Sequence, residues 1–559
     1  MNLPGHVFSS AGRLLGIAVL CTVIFFFRSG ALPFLGADEP RYTRIAEEMR
    51  SSGDWILPHL EGKPWLEKPP LLYWLTALGF FLLGSGEAQA RLVSAGSMAL
   101  VTATIYFFGK CWFSAQAGWI GALIFVSSSA ATGFSRAASM DALFTGLVFL
   151  GVCAFGQAII DEKRVHRLFY LALSGICLGL SVLAKGLIGA ILPGIVLLFF
   201  LIWVEAWKRL SWIFILLWGL LILAVSIPWH WIAFQRGGFD FLAIYLVNHH
   251  LARFFTEIHH HTQPIYYYLV ILPAGLLPWT LLLPLLIKGP APRIPKERLP
   301  ESQRLAWLLM TAWILFLLGF FSLSASKLPG YILPACPPLA LLIGARCAEW
   351  EYRSEGKSLL HRLLAGTALL MMGLGLLFSV LLYRYYGLPW ATAALCGGGY
   401  VLGGLILLAW LRKKTAVSGY TTAFLITAAT HALLVIQLSY WAFSAIGLRH
   451  STRDLAGEAL VLREANEPFY SYRCFHHTLA YYSQYRWQGN LEKVEELRVE
   501  TAKIIGGSIL LMTEERWIPE IERAPGFRIQ RLGRYGPRIL VRLLLINRSD
   551  QPGSVRLLP

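Results

Sequence analysis

Apolar residues in this chain run on for about 20 positions at a time, the length a helix needs to cross a bilayer. About thirteen such stretches can be marked, at 11–27, 88–109, 115–133, 139–160, 167–184, 187–204, 212–234, 265–287, 305–323, 328–345, 362–383, 391–410 and 421–443. The polar segments between them alternate in character. "DEKRVHR", "EAWKR", "KGPAPRIPKERLPESQR", "RCAEWEYRSEGKSLLHR" and "RKK" are basic and fall at alternate connections, which marks them as cytoplasmic. An odd number of spans then sends the polar C-terminal region to the opposite, external side. The first stretch is read as an uncleaved first helix rather than a secretory signal, because many later spans make cleavage unnecessary.

One apolar run breaks the pattern. "LLYWLTALGFFLL", residues 71–83, is too short to span, and counting it would reverse the side of the first loop relative to the basic ones. It is therefore expected as an interfacial or re-entrant helix, leaving 28–87 as one large external loop. Within that loop "ADEPRYTRIAEEM" predicts a helix: Pro40 suits its first turn with Asp38 or Glu39 as cap. Tyr42, Ile45, Ala46 and Met49 fall at i, i+3, i+4 and i+7, an apolar stripe expected to lie on the bilayer.

Composition supports this picture. Of 559 residues 56% are hydrophobic and only 14% charged, more apolar surface than one soluble core could bury. The formal charge of +17 would suggest nucleic acid in a soluble protein, but the Lys and Arg residues concentrate in short loops, so no nucleic-acid partner is expected. Seven of eight cysteines lie in or beside apolar runs, which indicates no disulfide framework. The expected organisation is a membrane domain at 1–448 followed by a small α/β domain at 449–559. In the latter "GSILLMT" and "RILVRLLLIN" read as strands and "APGF" and "RYGPR" as turns.

The ionisable residues outside the basic loops gather at the external ends of spans. "PWLEKPP" carries Glu67 and Lys68, "SRAASMD" Arg136 and Asp141, "LAKGLIG" Lys185, "NHHLARF" His249, His250 and Arg253, and "SASKLPGYILP" Lys327 and Tyr331. Singly, each has a structural explanation: a lysine at a span end snorkels and an aspartate caps. Together they suit a surface reaction with anionic groups, since Lys and Arg neutralise phosphate charge while a carboxylate orients or deprotonates an acceptor. A transporter would instead place such groups near the bilayer midplane. An activated group on the external side would arrive on a lipid carrier, and "QPIYYYL" and "LPWTLLLP" would suit one, although aromatic belts have the same composition.

The ordered set "ADEPRYTRIAEEM", "GDWILPHLEGKPWLEKPPLLYW", "SRAASMDALFTG", "LAKGLIG", "HHLARFFTEIHHHTQPIYYYLVILPAGLLPW" and "SKLPGYILPACPPLALLIG" resembles the bacterial lipid A aminoarabinose transferases. These are membrane glycosyltransferases of the GT-C class, related to the protein O-mannosyltransferases. The resemblance implies an all-α polytopic fold of about thirteen transmembrane helices with a small external C-terminal domain. It implies an inverting transfer of 4-amino-4-deoxy-L-arabinose from undecaprenyl phosphate to a lipid A phosphate, on the periplasmic face of the bacterial inner membrane. A polyprenyl-phosphate sugar, lipid A or another glycan, and the bilayer are the expected partners of a monomer. Asp38 matches the family's first-loop acid, Asp141 the acid of the second external loop, and Glu67 with Lys68 its Glu-Lys-Pro. Lys185, Arg253 and Tyr331 match polar positions around the carrier phosphate. Lys68, Lys185 and Arg253 would grip that phosphate, and Asp38 would organise the acceptor or its partner Arg41, itself counted among the phosphate-binding residues. His250 matches an imidazole that, with the Glu67 position, can hold a divalent metal such as zinc; His249 or one of His259, His260 and His261 would complete the ligands.

A different sugar or acceptor, a flippase and a noncatalytic scaffold remain as alternatives. The topology itself is directly testable: a cysteine at Gly86, in a background without other reactive thiols, reacts with an impermeant reagent from outside the cell. Labelling only from the cytoplasm contradicts the assignment.

Overall fold

The computed structural model describes residues 9–205, 210–245, 247, 263–287, 300–351, 354–413, 420–464, 466–503, 508–524 and 526–545. It divides into two units, one of Met1–Gly30, Ile45–Tyr385 and Pro389–Tyr440, the other of Ala31–Arg44, Tyr386–Leu388 and Trp441–Pro559.

The first unit is helical, and every apolar stretch marked from sequence forms helix within it. Among the described residues nine helices are long and apolar enough to cross a membrane, or eleven if each of two bent pairs is one span. The pairs are Ala115–Val126 with Ser129–Ser135, bent by 59°, and Tyr267–Gly275 with Trp279–Ile287, bent by 108°. At the second bend Pro278 follows the helix end, where a ring without an N–H cannot continue the ladder. The remaining two stretches, Ser10–Phe26 and Ile188–Trp203, are shorter apolar helices. Among the described residues length alone supports nine to eleven crossings, and these two shorter helices make up the thirteen expected.

Two features explain how such a chain is held together. Among these spans the helix Trp212–Tyr245 is the least covered, burying only 17% of its apolar length in protein, as a lipid-facing helix should. Inside the bundle three fully buried indoles keep their N–H groups bonded: Trp112 donates to Gln157 Oε1 (2.8 Å), Trp279 to Ser127 Oγ (3.0 Å) and Trp313 to the Pro334 carbonyl (2.9 Å).

The loop that carries the first group of candidate residues is anchored from several sides. Asp54 accepts the backbone N–H of Ile56 (3.0 Å) and Leu57 (3.2 Å) and pairs with Arg236 at 3.0 Å. Trp229 donates to the Ile56 carbonyl (2.8 Å) and Trp74 to the Trp55 carbonyl (2.5 Å). Glu48 accepts from Glu61 N (2.9 Å) and Gly62 N (3.1 Å), clasping the turn of the hairpin β1 (His59–Leu60) and β2 (Lys63–Pro64). Burial opposes ionisation of Asp54, but its backbone donors and Arg236 prevail and hold its carboxyl below the usual range.

Leu71–Leu83 is a helix of 13 residues that stops at Gly84, as expected from its sequence. Leu72, Tyr73, Ala77 and Phe80 are buried, whereas Leu78, Phe81, Leu82 and Leu83 are exposed. A short helix with an apolar face left uncovered by protein fits the expected interfacial position. The helix Asp38–Ser52 differs from expectation. Ile45, Ala46 and Met49 are each no more than 1% exposed and Tyr42 is half-buried, so most of the stripe assigned to the bilayer is covered by protein instead.

The second unit contains a five-stranded sheet with order β4-β3-β5-β7-β6, built from β3 (Phe469–Tyr472), β4 (Trp487–Leu491), β5 (Ser508–Glu514), β6 (Phe527–Tyr535) and β7 (Arg538–Leu545). The two runs read as strands are β5 and β7, paired antiparallel from Ser508↔Leu544 to Glu514↔Arg538. "RYGPR" supplies the turn between β6 and β7. β3 runs parallel to β4 and β5, with short helices between them, so this is a mixed α/β layer.

Candidate active site

In the first unit three segments converge on one ion pair. Met140–Ile160 begins under the cap of Ser139, whose hydroxyl accepts from the Asp141 N–H at 3.1 Å, so Asp141 lies in the first turn, where a carboxylate is favoured by the helix dipole. Arg164–Lys185 ends at Gly186, which adopts φ +93° and terminates the helix immediately after Lys185. A lysine in the last turn is the complementary case. The Lys185 ammonium contacts Asp141 Oδ1 directly, and the side chains are only 16% and 23% exposed. Two aromatic faces complete its surroundings, Phe144 and Tyr331, each with its centroid 5.0 Å from Lys185 Nζ.

Tyr331 comes from the short helix Pro329–Ala335, and the residue before it sets the fit. A Cβ on Gly330 would lie 1.9 Å from Asp141 Oδ2, so only glycine lets this segment approach the carboxylate. Tyr268 fixes the same segment by donating to the Leu328 carbonyl at 3.0 Å. The motif "SRAASMD" pointed to Asp141 and "LPGY" to Tyr331. Phe144 was missed because a phenylalanine on an apolar helix has no local signal, and Gly330 because nothing in sequence says which side chain it faces.

The second unit holds Asp38 and Arg41. Arg41 Nη2 donates to Asp38 Oδ1 at 2.7 Å, with Asp38 61% exposed, and Arg41 Nε also donates to the Ala37 carbonyl at 3.0 Å. Glu39 is buried and its carboxylate accepts the Leu35 N–H at 2.9 Å, tying the helix to the chain that leads into it, whereas Asp38 faces outward.

The other candidates sort as follows. Glu67 and Lys68 are half-buried in the bend before Leu71–Leu83. Arg136 is structural: it donates to the Ile24 and Phe27 carbonyls at 2.8 Å each, closing the C-terminal end of the first helix. Lys327 folds back onto the Ser324 carbonyl at 2.6 Å. Arg253, His249, His250, His259, His260 and His261 lie outside the described residues. Among the described residues no three His, Cys, Asp or Glu side chains form a metal-ligand group.

Chemically, the Lys185 cluster offers one well-oriented cation, a carboxylate that directs it and a phenol, in a setting partly shielded from water. Such a group stabilises an oxyanion better than the same ammonium in solvent. The Asp38–Arg41 pair is an exposed carboxylate held by a guanidinium, suited to orienting a polar substrate.

Comparison with known proteins adds sequence kinship to this geometry. A family model described as dolichyl-phosphate-mannose-protein mannosyltransferase matches residues 67–232, which open on Glu67 and include Lys68, Asp141 and Lys185. The undecaprenyl phosphate-alpha-4-amino-4-deoxy-L-arabinose arabinosyl transferase of Pseudomonas aeruginosa is 32% identical over 345 residues, 61% of this chain and 58% of that protein. The protein of the same name from Pseudomonas savastanoi pv. phaseolicola is 33% identical over 342 residues, 60% of this chain and 61% of the relative. The matched part thus spans about three fifths of these curated relatives. In structure, ArnT from Cupriavidus metallidurans bound to undecaprenyl phosphate superimposes with TM-score 0.76 at 22% identity, covering 96% of this chain and 98% of that one. The archaeal oligosaccharyltransferase AglB from Archaeoglobus fulgidus reaches 0.52 at 10% identity, covering 97% and 75%. These structural likenesses are of fold.

The Gly330–Asp141 fit yields a prediction. Gly330→Ala displaces the carboxylate from Lys185 and lowers turnover by about 100-fold, the scale of an ångström misplacement at a reacting centre. Gly373→Ala, in open space, leaves turnover unchanged. Comparable turnover in both variants, at equal expression and melting temperature, contradicts the role given to the ion pair.

Proposed function

We propose that the chain is an ArnT-like membrane protein of the GT-C class and a lipid-linked-sugar-dependent glycosyltransferase. It transfers 4-amino-4-deoxy-L-arabinose from undecaprenyl phosphate to a phosphate of lipid A on the periplasmic face of the inner membrane. The observation that carries the reading is the Lys185–Asp141 pair under Phe144 and Tyr331, an oriented cation at a helix end within the segment that matches the mannosyltransferase family model.

In the transfer, the bond between the sugar's anomeric carbon and the carrier phosphate oxygen breaks as an acceptor oxygen bonds to the opposite face of that carbon. The bonding electrons leave with the carrier phosphate, whose charge grows. Lys185, directed by Asp141, meets that charge, and the Tyr331 hydroxyl and Lys68 are assigned to the same phosphate. Arg253 is assigned there from sequence. A phosphate acceptor is already an anionic nucleophile, so Asp38 has no proton to remove and serves with Arg41 to orient the acceptor.

The matched mannosyltransferase model supports a second reading, transfer of another polyprenyl-linked sugar to a hydroxyl acceptor. Asp38 would then act as general base, because a hydroxyl must lose its proton to become the glycosidic oxygen.

Mass spectrometry of lipid A from cells with and without the chain separates the two. A gain of one aminopentose per modified phosphate is expected. Lys185→Ala lowers that product by about 100-fold or more while the protein stays expressed. Unmodified lipid A together with newly glycosylated protein or glycan overturns the first reading in favour of the second.

A further inference from the structure

Two spans of the helical unit are broken, and the breaks lie against each other. Ala115–Val126 gives way to Ser129–Ser135 at Ser127 and Ser128, and Tyr267–Gly275 gives way to Trp279–Ile287 after Gly275. A break interrupts the helical ladder, and in hydrocarbon every backbone group it releases needs a partner inside the protein. Here each break supplies partners for the other. Ser129 donates its N–H to the Leu277 carbonyl at 2.9 Å and its hydroxyl to the Ala274 carbonyl at 2.5 Å. In return the Trp279 indole donates to Ser127 Oγ at 3.0 Å, and that hydroxyl donates to the Leu123 carbonyl at 2.6 Å. A Cβ on Gly275 would lie 3.2 Å from the Ala130 Cβ, so the two backbones are in close contact. Trp279 is fully buried and stacks on Phe424 at 5.1 Å.

From this crossing the broken spans reach the same ion pair by separate routes. Thr132 in Ser129–Ser135 donates its hydroxyl to the Ser128 carbonyl at 3.0 Å, so His431 Nε2 donates to Thr132 Oγ1 at 2.8 Å and His431 Nδ1 accepts from the Tyr400 hydroxyl at 3.0 Å. Arg136 follows with its two carbonyl bonds, the Ser139 N–H donates to Ser94 Oγ at 3.0 Å, and Asp141 stands two residues on. The other half-span, Tyr267–Gly275, carries Tyr268, whose hydroxyl holds the Leu328 carbonyl two residues before Gly330. One arm thus ends at the carboxylate. The other ends at the segment that lies against that carboxylate and sets the Tyr331 ring beside Lys185.

We propose that Ser129 and Trp279 are positioning residues of the transfer site, which fix Asp141 relative to the Gly330–Tyr331 segment through the two half-spans. The inference rests on the transferase reading and deepens it. Two continuous helices would satisfy their own backbones, whereas a broken pair whose freed groups bond one another sets both arms with one group of contacts. The site can use such a device because its parts come from different spans and the Gly330 contact leaves no room for one arm to shift alone.

The test uses the full-length protein in detergent and reads hydrogen exchange by mass spectrometry over 136–141 and 324–331, where the two arms end. Ser129→Ala and Trp279→Phe raise exchange several-fold in both stretches. Trp112→Phe, which removes an equally buried indole bond to Gln157, raises it in neither. Exchange raised only around the breaks, in one arm alone, or equally by Trp112→Phe overturns the coupling. In transfer assays Ser129→Ala and Trp279→Phe lower kcat by about ten-fold with the KM for the carrier-linked sugar unchanged, because a displaced cation costs transition-state stabilisation. Wild-type kcat in both variants, or a raised KM at wild-type kcat, overturns the positioning role. The exchange readout needs no substrate, so coupled loosening in a protein that transfers no sugar would refute the transferase reading and leave the crossing in place.

Discussion

A single charge pair at the ends of two helices is the constraint on which the account depends. Lys185 sits where its helix stops, in a partly shielded setting, and an ammonium there needs a partner. Asp141 supplies it from the first turn of another helix. The helix dipoles favour both placements, so the electrostatics that stabilise the two termini also hold the cation in a fixed direction. Phe144 and Tyr331 occupy further sides of the ammonium. A cation so restrained costs little reorganisation when a phosphate arrives, which is the condition for electrostatic catalysis.

The rest of the first unit serves to make that arrangement rigid. Ser139 caps one helix, Gly186 ends the other, and Gly330 allows the Tyr331 segment to approach as closely as it does. The stretch leading to Glu67 and Lys68 is held less by regular structure than by individual bonds: Asp54 to Arg236, Trp229 and Trp74 to loop carbonyls, and Glu48 to the hairpin turn. Long loops need such anchors, because they have no ladder of their own. In the second unit the same task falls to Phe34 and Arg44, which bind the residues around Asp38 to aromatic side chains of the C-terminal domain.

Much of this was legible because a bilayer imposes a length on apolar runs. All the stretches marked from sequence are helices, and the short run at 71–83 stands apart as a 13-residue element. The number of crossings was harder, since bends at Ser127–Ser128 and Pro278 interrupt two stretches without any loss of hydrophobicity. The stripe Ile45, Ala46 and Met49 was correctly seen as one apolar face but assigned to the wrong medium. Periodicity shows that a face must leave water and cannot say whether lipid or protein receives it. For the candidate site, Asp141, Lys185 and Tyr331 were chosen separately and the structure joins them. Arg136 and Lys327, chosen on the same grounds, instead close helix ends. The difference is invisible locally, because a cation beside a span end has the same sequence signature whether it binds a substrate or a carbonyl. Phe144 and Gly330 carry no motif and emerge only from three-dimensional neighbours.

Recognition of a carrier phosphate by the Asp141–Lys185 pair can be read from binding alone. Binding of polyprenyl phosphate and of the corresponding polyprenol to purified wild-type protein and to Lys185→Ala, measured by native mass spectrometry or calorimetry, tests it most directly. The wild type is expected to prefer the phosphate by about ten-fold or more, consistent with the 1.5–3 kcal/mol of a charged hydrogen bond, and Lys185→Ala to lose that preference while retaining the polyprenol. An unchanged preference in Lys185→Ala would contradict the account.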